Sequence, residues 1–107
     1  MRVKVSQGLI RKVIQQIVEA VHPTRIVLFG SHAYGRPGED SDIDFLVVMP
    51  SKKRPVERAA EVSQSLHFYP FPMDIIVRTP QEIHRRLQIG DPFYKEIMGR
   101  GKILYER

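Results

Sequence analysis

The chain predicts a fold of the α/β (α+β) class, a small mixed β-sheet flanked by helices, and three observations lead to it. Short apolar runs at 25–29, 41–49 and 73–78 read as strands. Between and around them lie segments whose apolar residues recur at helical spacing. The resulting order, α-β-(turn)-β-α-β-α-α-β, suits helices packed against one sheet better than it suits a bundle or a sandwich.

Each element has its own local reason. Leu9, Ile10, Val13, Ile14, Ile17, Val18 and Val21 form one helical stripe; Ser6 is placed to cap it and Pro23 to end it. Arg25–Phe29 is a short buried strand, broken by Gly30. Ser31–Tyr34 is long enough for one helical turn, and 36–40 is a loop by composition. Ser41–Met49 is the second strand. Pro55–Leu66 reads as a helix with Pro55 in its first turn. His67–Pro72 is an aromatic, proline-rich connection to the third strand, Met73–Arg78. Thr79 caps the next helix, with Pro80 at its first position and Glu82 completing a capping box. That helix ends near Gly90. Pro92–Met98 is a last short helix, and Lys102–Tyr105 a last strand.

Length and composition narrow the classes. With 107 residues, 42% of them hydrophobic, the chain is expected to form one domain, 1–107, with a core small enough that a partner could contribute to its stability. There are no cysteines, which excludes disulfides and thiolate metal sites and makes a reducing cytoplasm the expected setting. No apolar run approaches the ~18–20 residues of a membrane span, and Met1–Val5 lacks the apolar core of a signal peptide. The net charge of +5, from 17 basic and 12 acidic residues, suits a polyanion such as a nucleoside triphosphate, an acidic protein, or nucleic acid. The basic residues are scattered, with one dense run at Lys52-Lys53-Arg54, so direct nucleic-acid binding is not expected.

The chemistry concentrates in residues 28–48. There the fixed pattern is Gly-Ser-x3-Gly-x5-Ser-Asp-x-Asp: Gly30, Ser31, Gly35, Ser41, Asp42 and Asp44. At average residue frequencies six such positions co-occur by chance on the order of once in 10⁵ to 10⁶ chains of this length. Gly30 permits a sharp turn and a close backbone approach to a ligand. The N–H groups after it can form an anion nest, and the Ser31 hydroxyl can donate to a phosphate oxygen. Gly35 is as permissive at the other end of the turn. Ser41 caps the loop or touches phosphate, and joins Gly30, Ser31 and Gly35 in the candidate nucleotide-binding set.

Alternation along a strand puts Asp42 and Asp44 on one face, with Cα atoms about 6.5–7 Å apart. Asp74 is the one acid of an otherwise apolar strand and can face the same place if the two strands pair. A single aspartate at a strand start is ordinarily just exposed. Three of them beside a Gly-Ser turn, two lying between apolar neighbours where an unpaired charge is costly, point to hard divalent cations such as Mg²⁺. Two such ions suit in-line displacement at phosphorus. The four histidines lie in different elements and form no metal set, although His32 follows the turn and could line the site. Arg36 and Arg78 could each meet phosphate, or stay in solvent or pair with an acid.

These residues resemble the nucleotidyltransferase superfamily that includes polymerase β and kanamycin nucleotidyltransferase, and more narrowly its minimal, stand-alone members. Gly30-Ser31, Gly35, Ser41-Asp42-x-Asp44 and Asp74 match the motif in order, and Gly101–Glu106 is similar to that group's closing strand. The resemblance implies that Asp42, Asp44 and Asp74 bind Mg²⁺ and are catalytic, with Asp74 helping to deprotonate the acceptor, and that Gly30 and Ser31 hold the triphosphate. It implies transfer of AMP from ATP to a hydroxyl, with release of pyrophosphate. Many minimal members pair with a HEPN-domain toxin and adenylylate it, often on tyrosine, or mask it by binding; a hetero-oligomer with such a partner is therefore expected. The chain has no residues left for an acceptor-recognition domain, so the acceptor is expected on another chain, with His67–Pro72 and the face near Phe93 and Tyr94 as candidate docking surfaces.

Overall fold

The structure is a computed structural model and describes residues 6–35, 42–66 and 71–107. Its elements are α1 (Gln7–Val21), β1 (Arg25–Phe29), α2 (Ser31–Tyr34), β2 (Ile43–Val48), α3 (Pro55–Gln64), β3 (Met73–Arg78), α4 (Pro80–Gln88), α5 (Pro92–Arg100) and β4 (Lys102–Glu106). The predicted class and element order are both observed.

Local chemistry sets the boundaries. The Ser6 hydroxyl accepts from Leu9 N–H and opens α1. The helix closes at His22, left-handed at φ 46°, whose N–H donates to Val18 O, and Pro23 follows, which cannot continue the helix. The Thr79 hydroxyl accepts from Glu82 N–H while the Glu82 carboxylate accepts from Thr79 N–H, the reciprocal box expected for α4. Asp91 caps α5 by accepting from Phe93 N–H. Several bounds differ from expectation. β2 runs Ile43–Val48 rather than 41–49; α3 stops at Gln64; α5 and β4 run on to Arg100 and Glu106.

The four strands lie in the order β3-β2-β1-β4. β1 is antiparallel to both β2 and β4, whereas β2 and β3 are parallel, joined through α3. Alternation sorts the strand residues between two apolar layers. On one face Ile26, Leu28, Phe45 and Val47 pack with Val13, Ile14 and Ile17 of α1 and Val62 of α3. On the other, Val27, Phe29, Leu46 and Val48 pack with Ile83 of α4 and Tyr94 and Ile97 of α5. Phe45 and Ile17 are fully buried, each worth about 1.5–3 kcal/mol relative to exposure. Among the described residues no helix is long and apolar enough to cross a membrane.

One buried charge ties the layers together. The Arg58 guanidinium, from α3, donates to both oxygens of Glu82 on α4 at 2.6 and 3.0 Å, to Lys53 O at 2.9 Å and to Val77 O at 3.3 Å. It is 4% exposed. Its bond to Glu82 is the main reason that carboxyl falls to about 2, with burial opposing and the Thr79 backbone helping.

Candidate functional site

Strand register builds the acidic edge. Asp44 is the second residue of β2, and its partner on parallel β3 is Asp74, its partner on antiparallel β1 Phe29. Asp42 precedes β2 by one residue and shares the parity of Asp44. The acids therefore sit where β1 ends and β2 and β3 begin, on the sheet face covered by α4 and α5. Asp42 and Asp74 are exposed and Asp44 is half-buried.

The turn after β1 is shaped to this carboxylate. Gly30 has φ 78° and ψ −164°, a region essentially reserved for glycine. A Cβ added there would overlap Asp44 Oδ2 and stand 3.1 Å from Asp44 Cγ. The missing side chain is thus both a conformational and a steric requirement. Gly30 O accepts from Ala33 and Tyr34 N–H, each at 3.0 Å, and Gly35, left-handed at φ 87°, donates to Ser31 O. Two of the N–H groups expected to form an anion nest are therefore engaged in closing the turn itself. Ser31 stands at its start, half-buried.

The electrostatics are those of crowded like charges. Burial first, then Asp74 and Asp42, push the Asp44 carboxyl above its ordinary value, while His32 works against them. Asp74, Asp42 and His32 therefore all lie near enough to Asp44 to act on its charge. They do not close into a preformed ligand trio: among the described residues no three carboxylate or imidazole groups are close enough to hold an ion. Asp42 stands just outside the strand, while Asp44 and Asp74 are register partners on β2 and β3. In kind the donors fit a hard divalent cation: three carboxylates, no sulfur, and a charge that such an ion neutralises.

Other expectations resolve differently. Arg78 is tied to the chain itself: its Nε donates to Tyr94 Oη at 2.9 Å and its NH1 to Val77 O at 2.9 Å, and no acid pairs with it among the described residues. Phe71 is core at 4% exposure, and Tyr94 is also buried, so neither is a docking surface as such. Phe93 remains 46% exposed. Ser41, Arg36 and 67–70 lie outside the described residues.

Tyr34 was not singled out by the motif. Its phenol is raised chiefly by burial, with a Gly30 backbone hydrogen bond and Arg100 opposing and Glu96 and Asp44 adding. The Arg100 guanidinium lies 4.4 Å from its ring centroid. Tyr34 therefore links the Gly30 turn to α5. Its place four residues after Gly30, where one helical turn returns to its start, was the available signal. Phe29 and Phe93 make a second link, edge to face at 5.7 Å.

Comparison with known proteins agrees with this fold. The fold is similar to that of a Sulfolobus solfataricus protein provisionally described as a nucleotidyltransferase, at 20% identity and a TM-score of 0.67, over 94% of this chain and 79% of that one. It is also similar to a chain in the crystal structure of a mutant MntA–HpeT toxin–antitoxin, at 18% identity and a TM-score of 0.52, over 96% and 75%. No curated protein sequence matches significantly. The family model of the nucleotidyltransferase domain matches residues 10–104, nearly the whole chain. The chain belongs to the nucleotidyltransferase domain family.

Proposed function

We propose that the chain transfers AMP from ATP, with Mg²⁺, to a hydroxyl of a partner protein, and that the partner is a HEPN toxin which the transfer silences. The observation that carries this reading is the register pair Asp44–Asp74, flanked by Asp42 and set against the Gly30 turn. Asp42, Asp44 and Asp74 would hold the metal, which when bound polarises the phosphate oxygens and offsets the charge of the leaving group.

The chain's own residues have distinct tasks. The Gly30 turn brings backbone against the nucleotide, and the Ser31 hydroxyl, with Gly35 and Ser41 bounding the loop, donates to the triphosphate. Asp74, on the exposed edge strand, takes the proton of the acceptor hydroxyl. The acceptor oxygen bonds to the α-phosphorus, the α–β bridge bond breaks, and pyrophosphate leaves. The likeness to a toxin–antitoxin structure supports the choice of partner. A cytoplasmic setting and a hetero-oligomer belong to the same reading.

The test is intact-mass analysis of the neighbouring gene product after incubation with ATP, Mg²⁺ and this chain. A gain of one nucleoside monophosphate, absent with Asp42→Asn/Asp44→Asn, is expected. Neutralisation of the toxin with no mass gain, equally strong in the double variant, would replace the enzymatic reading by masking through contact.

A further inference from the structure

A groove of about 660 Å³ lies between α4 and α5, lined by Arg78, Gln81, Arg85, Arg86, Asp91 and Phe93 among others. It opens on the same sheet face as the acids. Phe93 forms part of its wall and also packs edge-to-face on Phe29, the strand partner of Asp44 and chain neighbour of Gly30. The Phe93–Phe29 contact therefore connects the groove to the acidic edge.

Its charge is unbalanced. Glu82, also in the wall, is neutralised by Arg58. Asp91 caps α5 and stands 3.8 Å from Arg86. Arg78 and Arg85 have no carboxylate partner among the described residues. Two uncompensated guanidinium groups and a half-exposed aromatic ring thus face an open groove. A phosphate backbone needs a continuous run of cations, whereas the two spaced guanidinium groups of Arg78 and Arg85 can each pair with one separate acidic side chain.

We propose that this groove docks an acidic segment of the acceptor protein beside the transfer site. Asp74 and Arg78 are four residues apart on β3, so roughly 13 Å separates the acidic edge from the basic groove. An extended segment spans that distance in about four residues. The acceptor therefore carries Asp or Glu about three to five positions from the hydroxyl that receives the nucleotide. This spacing rests on the proposed transfer; the binding itself does not.

The test uses the full chain without nucleotide or metal, so that it is independent of catalysis. Fluorescein-labelled peptides of about eleven residues, with a central tyrosine and either glutamates or glutamines at those spacings, are titrated by fluorescence anisotropy. Gln81→Glu/Arg85→Glu adds one negative charge and reverses one positive charge at two exposed positions outside the catalytic machinery, and Gln81→Glu in the first turn of α4 is favourable to the helix. The glutamate peptide is expected to bind at least about tenfold tighter than the glutamine peptide, to lose about that factor in the double variant, and to weaken with salt. Arg85→Lys should retain most of the affinity. Equal binding of the two peptides, no binding of either, or undiminished binding to a double variant whose circular dichroism is wild-type would overturn the proposal. A labelled oligouridylate that binds more tightly than the glutamate peptide, and is lost in the variant, would reassign the groove to RNA.

Discussion

Replacing Glu82 with glutamine leaves the Arg58 guanidinium buried without its counter-charge while keeping the size of the side chain. Two routes give the cost. The fall of the Glu82 carboxyl from 4.5 to about 2 corresponds at face value to about 3.4 kcal/mol. The side chain is 38% exposed, however, so solvent screening reduces that to about 1–2 kcal/mol. Removing one partner of a buried pair costs about 3–5 kcal/mol when both are enclosed. Here one is open to water, and the glutamine oxygen still accepts one bond, so about 2 kcal/mol is expected. For a domain of this size that lowers Tm by roughly 8–16 °C at pH 7. The pH dependence follows from the sign of the shift. A depressed carboxyl stabilises the fold fully above its unfolded value of 4.5 and loses that contribution as pH falls toward about 2. Thermal unfolding by circular dichroism, wild type against Glu82→Gln, should therefore show a constant gap above about pH 5.5 and a narrowing gap below 4.5. A gap under about 4 °C at pH 7, or one unchanged between pH 6 and pH 3, would refute the assignment of Glu82 as the charge that stabilises Arg58.

Two further expectations concern the site. Gly30→Ala forces a side chain into glycine-only backbone space and onto Asp44, costing about 1–3 kcal/mol and lowering Tm by at least about 5 °C, with transfer reduced as Asp44 is displaced; unchanged melting would show that the turn relaxes freely. Asp44→Asn removes a carboxylate whose ionisation is opposed by burial, Asp74 and Asp42. A raised carboxyl makes the fold lose stability as pH climbs from the ordinary value of 3.8 through the raised one. Without metal or nucleotide the variant should melt above wild type at pH 7 and alongside it below pH 4, while transfer falls at least about 100-fold. A variant that melts lower than wild type at pH 7 would mean that Asp44 is a structural hydrogen-bonding group rather than a strained ligand.

Much of the molecule was legible because its signals are local. The cap at Ser6, the Thr79–Glu82 box, the prolines opening α3, α4 and α5, and the break at Gly30 act through neighbours in sequence, so the element order could be read from the chain. The same is true of the pairing of Asp42 with Asp44, since strand alternation is a property of the backbone. The β2 start was misplaced because nothing local separates the end of a loop from the first ladder bond; that depends on the partner strand. Phe71 and Tyr94 could serve as docking surface or as core by sequence and prove to be core, because burial depends on what packs above them.

What the chain determined alone was a helix-and-sheet domain carrying a glycine-serine turn and acids at strand spacing. Tertiary structure decided that β3 runs parallel to β2 in the register that sets Asp74 beside Asp44, that Asp44 fills the space glycine leaves at position 30, and that Arg58 and Glu82, 24 residues apart in sequence, meet from two helices. Strand register is fixed by which apolar faces bury together over the whole sheet, a condition no single segment carries.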